Sequence, residues 1–191
     1  SPTNQVTSTV QCSHVFVFSG ANVASCAWVS SSEVSVTFPA YDGTTSFAEP
    51  SSIITLKEGV IRAACESGAN CVAYPSSAAQ NVTAAPPETP VLPNLVVLLP
   101  SNVAYCANVT VDASSSSGHG GRPWKHVHWT VRANVPGTDT ARLETLLNGL
   151  GTSLQQSVYF PAQQYSTSGV EYTISMYATN FLGQSSSSSV L

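Results

Sequence analysis

The sequence predicts an all-β chain of tandem β-sandwiches with one short inserted helix, and three observations carry that expectation. Short runs of alternating apolar and polar residues recur along it, the period expected of half-buried strands. Between them stand turn formers, among them 12 Gly and 12 Pro in 191 residues. Only 8% of residues are charged while 42% are hydrophobic, so a packed core is within reach and its polar cover must be Ser, Thr, Asn and Gln.

The first half reads as five short strands, which favours sheets over a helix bundle. QCSHVFVF (11–18) ends at the turn Ser19-Gly20-Ala21-Asn22. CAWVS follows, and Trp28 is expected to pack over a local bridge at Cys26. In EVSVTF, Val34, Val36 and Phe38 alternate with Ser35 and Thr37. SIITL, a turn at Lys57-Glu58-Gly59, and VIRAAC complete the set.

From Ser76 to Pro93 the chain carries four Pro and no strand-length alternation. Proline removes backbone donors and fixes φ, so this stretch is expected to be extended and solvated. The expected division is a sandwich unit at 1–85, incomplete or divergent, a Pro-rich linker at 86–93, and a second sandwich at 94–191.

In the second half, LVVLLP (95–100) and YCANVTVDA (105–113) read as strands, followed by a Ser- and Gly-rich loop. In RPWKHVHWTV, Val127, Trp129 and Val131 share one face, the core side, and His126 and His128 the other. TDTARLETLLNGL (138–150) is the one helical pattern: Thr138 is a candidate N-cap, and Leu143, Leu146, Leu147 and Leu150 form a stripe ending at Gly151. Such a helix suits a lid over one edge of the sheet. SVYFP, GVEYTISMYATN and a Ser-rich strand bring this body to about seven strands.

Five cysteines bear on the compartment: Cys12, Cys26, Cys65, Cys71 and Cys106. No Cys-x-x-Cys pair suggests a metal site. The sequons Asn81-Val82-Thr83 and Asn108-Val109-Thr110 both lack a central Pro, so Asn81 and Asn108 are expected N-glycosylation sites. Together with the low charge, these features favour an oxidising, extracellular setting. The preferred pairing is local, Cys12 with Cys26 and Cys65 with Cys71, among the roughly 15 two-bridge pairings that five cysteines allow. Cys106 then stays free or pairs outside the segment. The start at Ser1, without an initiator Met or signal segment, reads as a processed chain or a fragment whose anchor lies elsewhere.

Several function classes find little support. Six Lys and Arg are scattered, and the net charge is −4, so no basic patch favours nucleic acid. No apolar run approaches the roughly 20 residues of a membrane span. His119, His126 and His128 could chelate Zn or Cu only if the loop folded back, and without a carboxylate or Cys at ligand spacing the wet face of a strand is the better reading. Gly118-His119-Gly120-Gly121 lacks the Lys and the following helix of a phosphate loop, so its glycines are expected to permit a tight crossover. No Gly-x-Ser-x-Gly elbow occurs, and the ten acidic residues are too sparse for a paired-carboxylate or Ca²⁺ site. Neither enzyme nor cofactor is expected. Asp112 and Arg122 bracket the Ser- and Gly-rich loop as an expected latch, Asp112 accepting bonds from Ser114 to Ser117 and Arg122 pairing with it or capping carbonyls.

GVEYTISMYATNFLGQSSSSSV resembles the last two strands of a fibronectin type III domain, with Gly169 before Tyr172, alternating Tyr172, Ile174, Met176 and Ala178, then Asn180 and Gly183. CANVTVDASSSSGHGGRPWKHVHWTV is similar to the receptor-for-egg-jelly module through Cys106, Val111-Asp112-Ala113-Ser114, Gly120-Gly121-Arg122-Pro123 and Trp129. The likeness extends over most of residues 24–191 and is strongest at 106–129. It implies tandem immunoglobulin-like or fibronectin type III-like sandwiches in an ectodomain at a cell or ciliary surface. It also implies adhesion, spacing or protein contact with other domains or chains, and no chemistry of its own. The alternative is a carbohydrate-binding sandwich that binds glycans on an aromatic platform of Tyr41, Trp124, Tyr159, Phe160 and Tyr165.

Overall fold

The structure, a computed structural model, describes residues 9–30, 32–62, 70–104, 106–154, 157–161 and 169–191. It is mostly β-strand, arranged in several antiparallel sheets with one α-helix. The chain divides into two compact units, residues 1–87 and 88–191.

In the first unit, β1 (Val10–Gln11), β3 (Ser25–Trp28) and β4 (Val34–Thr37) form one sheet in the order β1-β3-β4. β2 (Phe16–Val17), β5 (Ile53–Leu56) and β6 (Gln80–Thr83) form another in the order β2-β5-β6. The run 11–18 is therefore not one strand. A turn of 3-10 helix, Cys12–His14, breaks it, and the chain changes sheets there. The disulfide between Cys12 and Cys26 draws that turn inward, and the amides of Cys12 and Ser13 donate at 2.9 Å to Ala24 and Ala21.

Val10, Phe16, Phe18, Val34 and Phe38 pack around the bridge with buried Ala21 and Ala24. Trp28 is not part of this cluster. It lies half-buried at the far end of β3, opposite Val34. Together with Phe47, these two alanines and two cysteines are the described buried apolar residues of the unit. So small a core places much of the unit's stability on the bridge.

β6 corrects the reading of 76–93 as free linker. It pairs along its whole length with β5, and Ala84 exchanges backbone hydrogen bonds with Ser51 and Ser52. All four of its side chains are exposed, so it carries no alternation to betray it. At the other end of the stretch, Val91 and Leu92 are held in the second unit.

In the second unit, β8 (His126–Ala133), β10 (Tyr172–Thr179) and β11 (Ser185–Val190) form a sheet in the order β11-β10-β8. β7 (Val109–Val111) pairs with β9 (Val158–Phe160). The segment 95–100, expected as a strand, meets the chain through two isolated bridges, Asn94 with Ser117 and Leu98 with Asp112. Five strands are thus described where about seven were expected. Both sheets feed one core. Trp129, Val131, Ile174, Met176 and Ala178 from one side meet Val111, Val158 and Phe160 from the other, with Leu143 and Leu147 of the helix α1 (Ala141–Asn148). The helix is shorter than the pattern suggested, and its N-cap residue is Thr140 rather than Thr138. Leu143 and Leu147 of the stripe are buried, whereas Leu146 faces solvent.

Asn180, wholly buried after β10, joins three separate stretches of this unit. Its Nδ2 donates to the carbonyls of Val91 at 2.7 Å and Gly118 at 3.0 Å, and its Oδ1 accepts from the amides of Leu182 and Gln184, both at 3.0 Å. Two donors and two lone pairs are all an amide side chain has, and each is used. Gly118 complements this knot. Its φ is +91°, and a Cβ there would strike the Leu92 carbonyl and lie 2.8 Å from the Pro93 Cα.

Removing the Asn180 amide leaves several buried backbone groups unpaired. Asn180→Leu is expected to destabilise the second unit by roughly 2–4 kcal/mol. Asn180→Asp, of nearly the same shape, keeps the accepted bonds but turns a carboxylate towards two carbonyls, so it is expected to cost at least as much. Denaturant titration of the full chain, read through the fluorescence of buried Trp124 and Trp129, measures both.

Candidate interaction surface

The second unit's three-stranded sheet turns one face inward and one outward, and its register defines the outer one. Residues directly opposite in an antiparallel ladder share a face. His126, Thr179 and Ser185 form one row, His128, Tyr177 and Ser187 the next, and Thr130, Ser175 and Ser189 a third. Both histidines, Tyr177 and the β11 serines Ser185, Ser187 and Ser189 are exposed, and Ser175 is half-buried. Hydroxyls knit the rows together. Tyr177 donates to Ser185 at 2.8 Å, Ser189 donates to Ser175 at 2.8 Å, and Thr179 and Ser185 lie 2.9 Å apart. The Ser185 hydroxyl, then Thr179, hold the Tyr177 phenol below its ordinary pKa. The result is a surface of hydroxyls and imidazoles, with the guanidinium of Arg132 in the next row beside Thr173.

The two edges of this sheet differ. Along β8, the side chains of α1 occupy the ladder positions a further strand would take. Asn148 Oδ1 accepts from the Trp129 amide and its Nδ2 donates to the Trp129 carbonyl, both at 2.9 Å. Glu144 Oε1 accepts from the Val131 amide at 2.8 Å. Glu144 and Asn148 stand four residues apart, on one face of the helix, and so meet alternate residues of the strand. The expected lid over a sheet edge is thus present, built from polar side chains as much as from the leucine stripe. At the opposite edge β11 ends the sheet, a Ser-rich strand with no further strand beside it among the described residues. Unpaired edges are docking sites for other chains unless covered or charged, and β11 carries no charge.

Next to this sheet, the loop expected to be latched by Asp112 and Arg122 is organised around both residues separately. Asp112 accepts the Ser114 amide at 2.8 Å, and the Ser114 hydroxyl and amide hold its carboxyl below the ordinary range. Arg122 stacks its guanidinium over the Phe181 ring at 4.4 Å, while its carbonyl lies 3.1 Å from His119 Nδ1. The Gly loop leads into this corner, and a Cβ at Gly120 would strike the same Phe181 ring.

The other expected residues scatter. His119 lies against Trp124, which is buried in the core, whereas His126 and His128 are exposed on β8. Among the described residues no group of three or more His, Cys, Asp and Glu side chains could hold a metal ion. The aromatic platform is not assembled. Trp124 and Phe160 are buried in the second unit, Tyr41 packs on Phe47 in the first, Tyr159 is exposed by itself on β9, and Tyr165 lies outside the described residues. Cys65 and the side chain of Cys71 also lie outside them, and with them the expected second bridge. Cys106 is exposed with a free thiol. Asn81 and Asn108 are both exposed, the first within β6 and the second just ahead of β7. No helix among the described residues is long and apolar enough to cross a membrane.

Comparisons with protein-family models, curated proteins and solved structures found no match.

If the helix side chains seal β8, the double substitution Glu144→Ala and Asn148→Ala is expected to speed amide exchange at Trp129 and Val131 by tenfold or more, about the effect of losing 1.4 kcal/mol of local protection. Unchanged exchange at both amides would contradict the seal. Asp112 gives a pH-dependent outcome. A carboxyl whose folded pKa is depressed stabilises above its unfolded value and loses that contribution as pH falls. Asp112→Ala is therefore expected to lower the melting temperature of the second unit at neutral pH. The gap should close as pH falls through and below about 3.9, the ordinary aspartate value.

Proposed function

We propose that the chain is a non-catalytic extracellular structural and adhesion module of a larger cell-surface or ciliary-surface glycoprotein. Its tandem units act as spacers, and its contact surface is the hydroxyl face and open β11 edge of the second unit. The observation that carries the reading is the asymmetry of that sheet: helix side chains occupy the β8 edge, while no strand among the described residues covers β11. The likeness of residues 106–129 to the receptor-for-egg-jelly module, and of the last two strands to fibronectin type III, points the same way. The Cys12–Cys26 bridge fits an oxidising compartment.

A surface made mostly of hydroxyls, with one guanidinium at Arg132 in its end row, gains little from any one contact. Contact over a wide area, repeated along tandem modules, suits it better, since linked weak sites raise overall avidity. Exposed Cys106 is a natural point for a covalent bridge to another polypeptide of such an assembly. The carbohydrate-binding alternative loses its main support with the dispersal of the aromatic residues.

The test uses beads coated with the full chain, applied to one another and to cells bearing the parent glycoprotein. Adhesion is expected, and Tyr177→Glu with Ser187→Glu should reduce it about tenfold or more by placing two carboxylates across the centre of the face. Their melting temperatures should match that of the unsubstituted chain, since both positions are exposed. Absence of adhesion, or adhesion indifferent to both substitutions, would contradict the assignment of this surface.

A further inference from the structure

The outer face of β2-β5-β6 in the first unit carries an apolar exposure that nothing so far explains. By register, Val17, Thr55 and Asn81 form one row on this face, and Ile53 and Thr83 the next. Val17 is 54% exposed and Ile53 61%. Two β-branched side chains side by side on a flat sheet are costly to leave in water and invite association. The same face carries a sequon, Asn81-Val82-Thr83, with Asn81 diagonal to Ile53 across the β5–β6 ladder and separated from Val17 by Thr55. Thr55 donates its hydroxyl to Asn81 Oδ1 at 2.7 Å. That bond fixes the amide plane by its oxygen, and Nδ2, the atom to which a glycan is joined, has no partner among the described residues.

We propose that an N-linked glycan on Asn81 is a structural part of the first unit, its innermost N-acetylglucosamine lying over Val17 and Ile53. The sugar meets the chemistry of the face on both counts. Its ring C–H groups and acetyl methyl cover aliphatic side chains, while its hydroxyls and acetamide stay in water or meet Thr55 and Thr83. Ile53, diagonal to Asn81, is about 7–8 Å away, and Val17, two strands across, is roughly 10 Å away, so a sugar attached to the amide meets Ile53 with its first ring and Val17 with that ring's far edge. Formation of the bond requires a lipid-pyrophosphate-linked oligosaccharide. Asn81 Nδ2 attacks the anomeric carbon, the C1–O bond to pyrophosphate breaks, the amide gives up one proton, and the lipid pyrophosphate leaves. The Oδ1 bond from Thr55 survives the reaction. With so few buried apolar residues among those described in this unit, cover on its outer face has a larger share in its stability than it would on a well-cored domain.

The inference rests on the extracellular reading above, and the experiment separates the two. The full chain is secreted from a eukaryotic cell, its glycans and bridges are mapped by peptide mass spectrometry, and binding of an apolar fluorescent dye and melting are recorded. Asn81 is expected to be occupied. Trimming the glycans to the first N-acetylglucosamine should leave dye binding and melting unchanged. Thr83→Ala, which removes the hydroxyl that glycosylation requires, should raise dye binding several-fold and lower the first melting transition by about 4 °C or more. Thr83→Ser should restore the sugar and both readouts, and adding Ile53→Thr to Thr83→Ala should return dye binding to its low level. In chain made without glycans, Thr83→Ala should change neither readout. Secretion with the Cys12–Cys26 bridge closed and Asn108 glycosylated but Asn81 bare would overturn the inference and leave the extracellular reading standing. An occupied Asn81 whose loss moves neither dye binding nor melting would also overturn it. A chain retained, reduced and without sugar would overturn both.

Discussion

One buried amide sets the geometry on which the second unit depends. Asn180 holds the carbonyl of Val91, the carbonyl of Gly118 and the two amides of its own hairpin, so three stretches remote in sequence meet at one side chain. In a chain with 8% charged residues, polar groups of this kind are the main source of direction among non-directional apolar contacts. The knot places Leu92 and Pro93 against Gly118, which in turn fixes where the Gly loop turns towards Arg122 and Phe181. It also sets the hairpin between β10 and β11, and with it the register that lines up Tyr177 with Ser187 and His128. The proposed contact surface is thus a consequence of where Asn180 sits, although Asn180 itself is hidden from any partner.

The same economy governs the edges. A sheet of three strands has two edges, and this one treats them oppositely. α1 is short, yet Glu144 and Asn148 make with β8 the hydrogen bonds that a further strand would make. β11 is joined to β10 by hydroxyl pairs and has no such companion among the described residues. The first unit solves a different problem. Its apolar interior is small and centred on the Cys12–Cys26 bridge, so covalent links carry more of the burden, first the disulfide and, in the reading offered here, the sugar at Asn81. Both units build order from few charges and short strands, one by a satisfied amide and the other by a disulfide.

Much of this was legible in the sequence where periodicity met burial. Val127, Trp129 and Val131 faced the core, with His126 and His128 outward, as the alternation required, because that strand is half-buried along its whole length. The helix and its role as an edge lid were readable from the leucine stripe. The residues that seal the edge were not, since Glu144 and Asn148 look like ordinary surface positions until β8 is placed beside them. β6 was missed for the opposite reason: all its side chains are exposed, and pairing with β5 leaves no hydrophobic trace. The strand break at Cys12–His14 is hidden in the sequence because the bridge to Cys26 turns the chain inward just ahead of the apolar run Val15 to Phe18. Trp124 and Phe160, two members of the expected aromatic platform, lie in the core, because aromatic residues report burial as readily as exposure. Asn180 looked like a turn former, and only the fold reveals its reach back to Val91 across 89 positions.

In the function proposed, the β11 edge and the hydroxyl face beside it are where this module meets other chains. Amide hydrogen exchange, compared between the isolated full chain and the chain within its native assembly, tests it directly. Amides on the outer edge of Ser185–Val190 should exchange quickly in the isolated chain and slow markedly in the assembly, while Trp129 and Val131 on the sealed edge stay protected in both. Equal exchange along β11 in the two states, with new protection confined to other faces, would contradict the account.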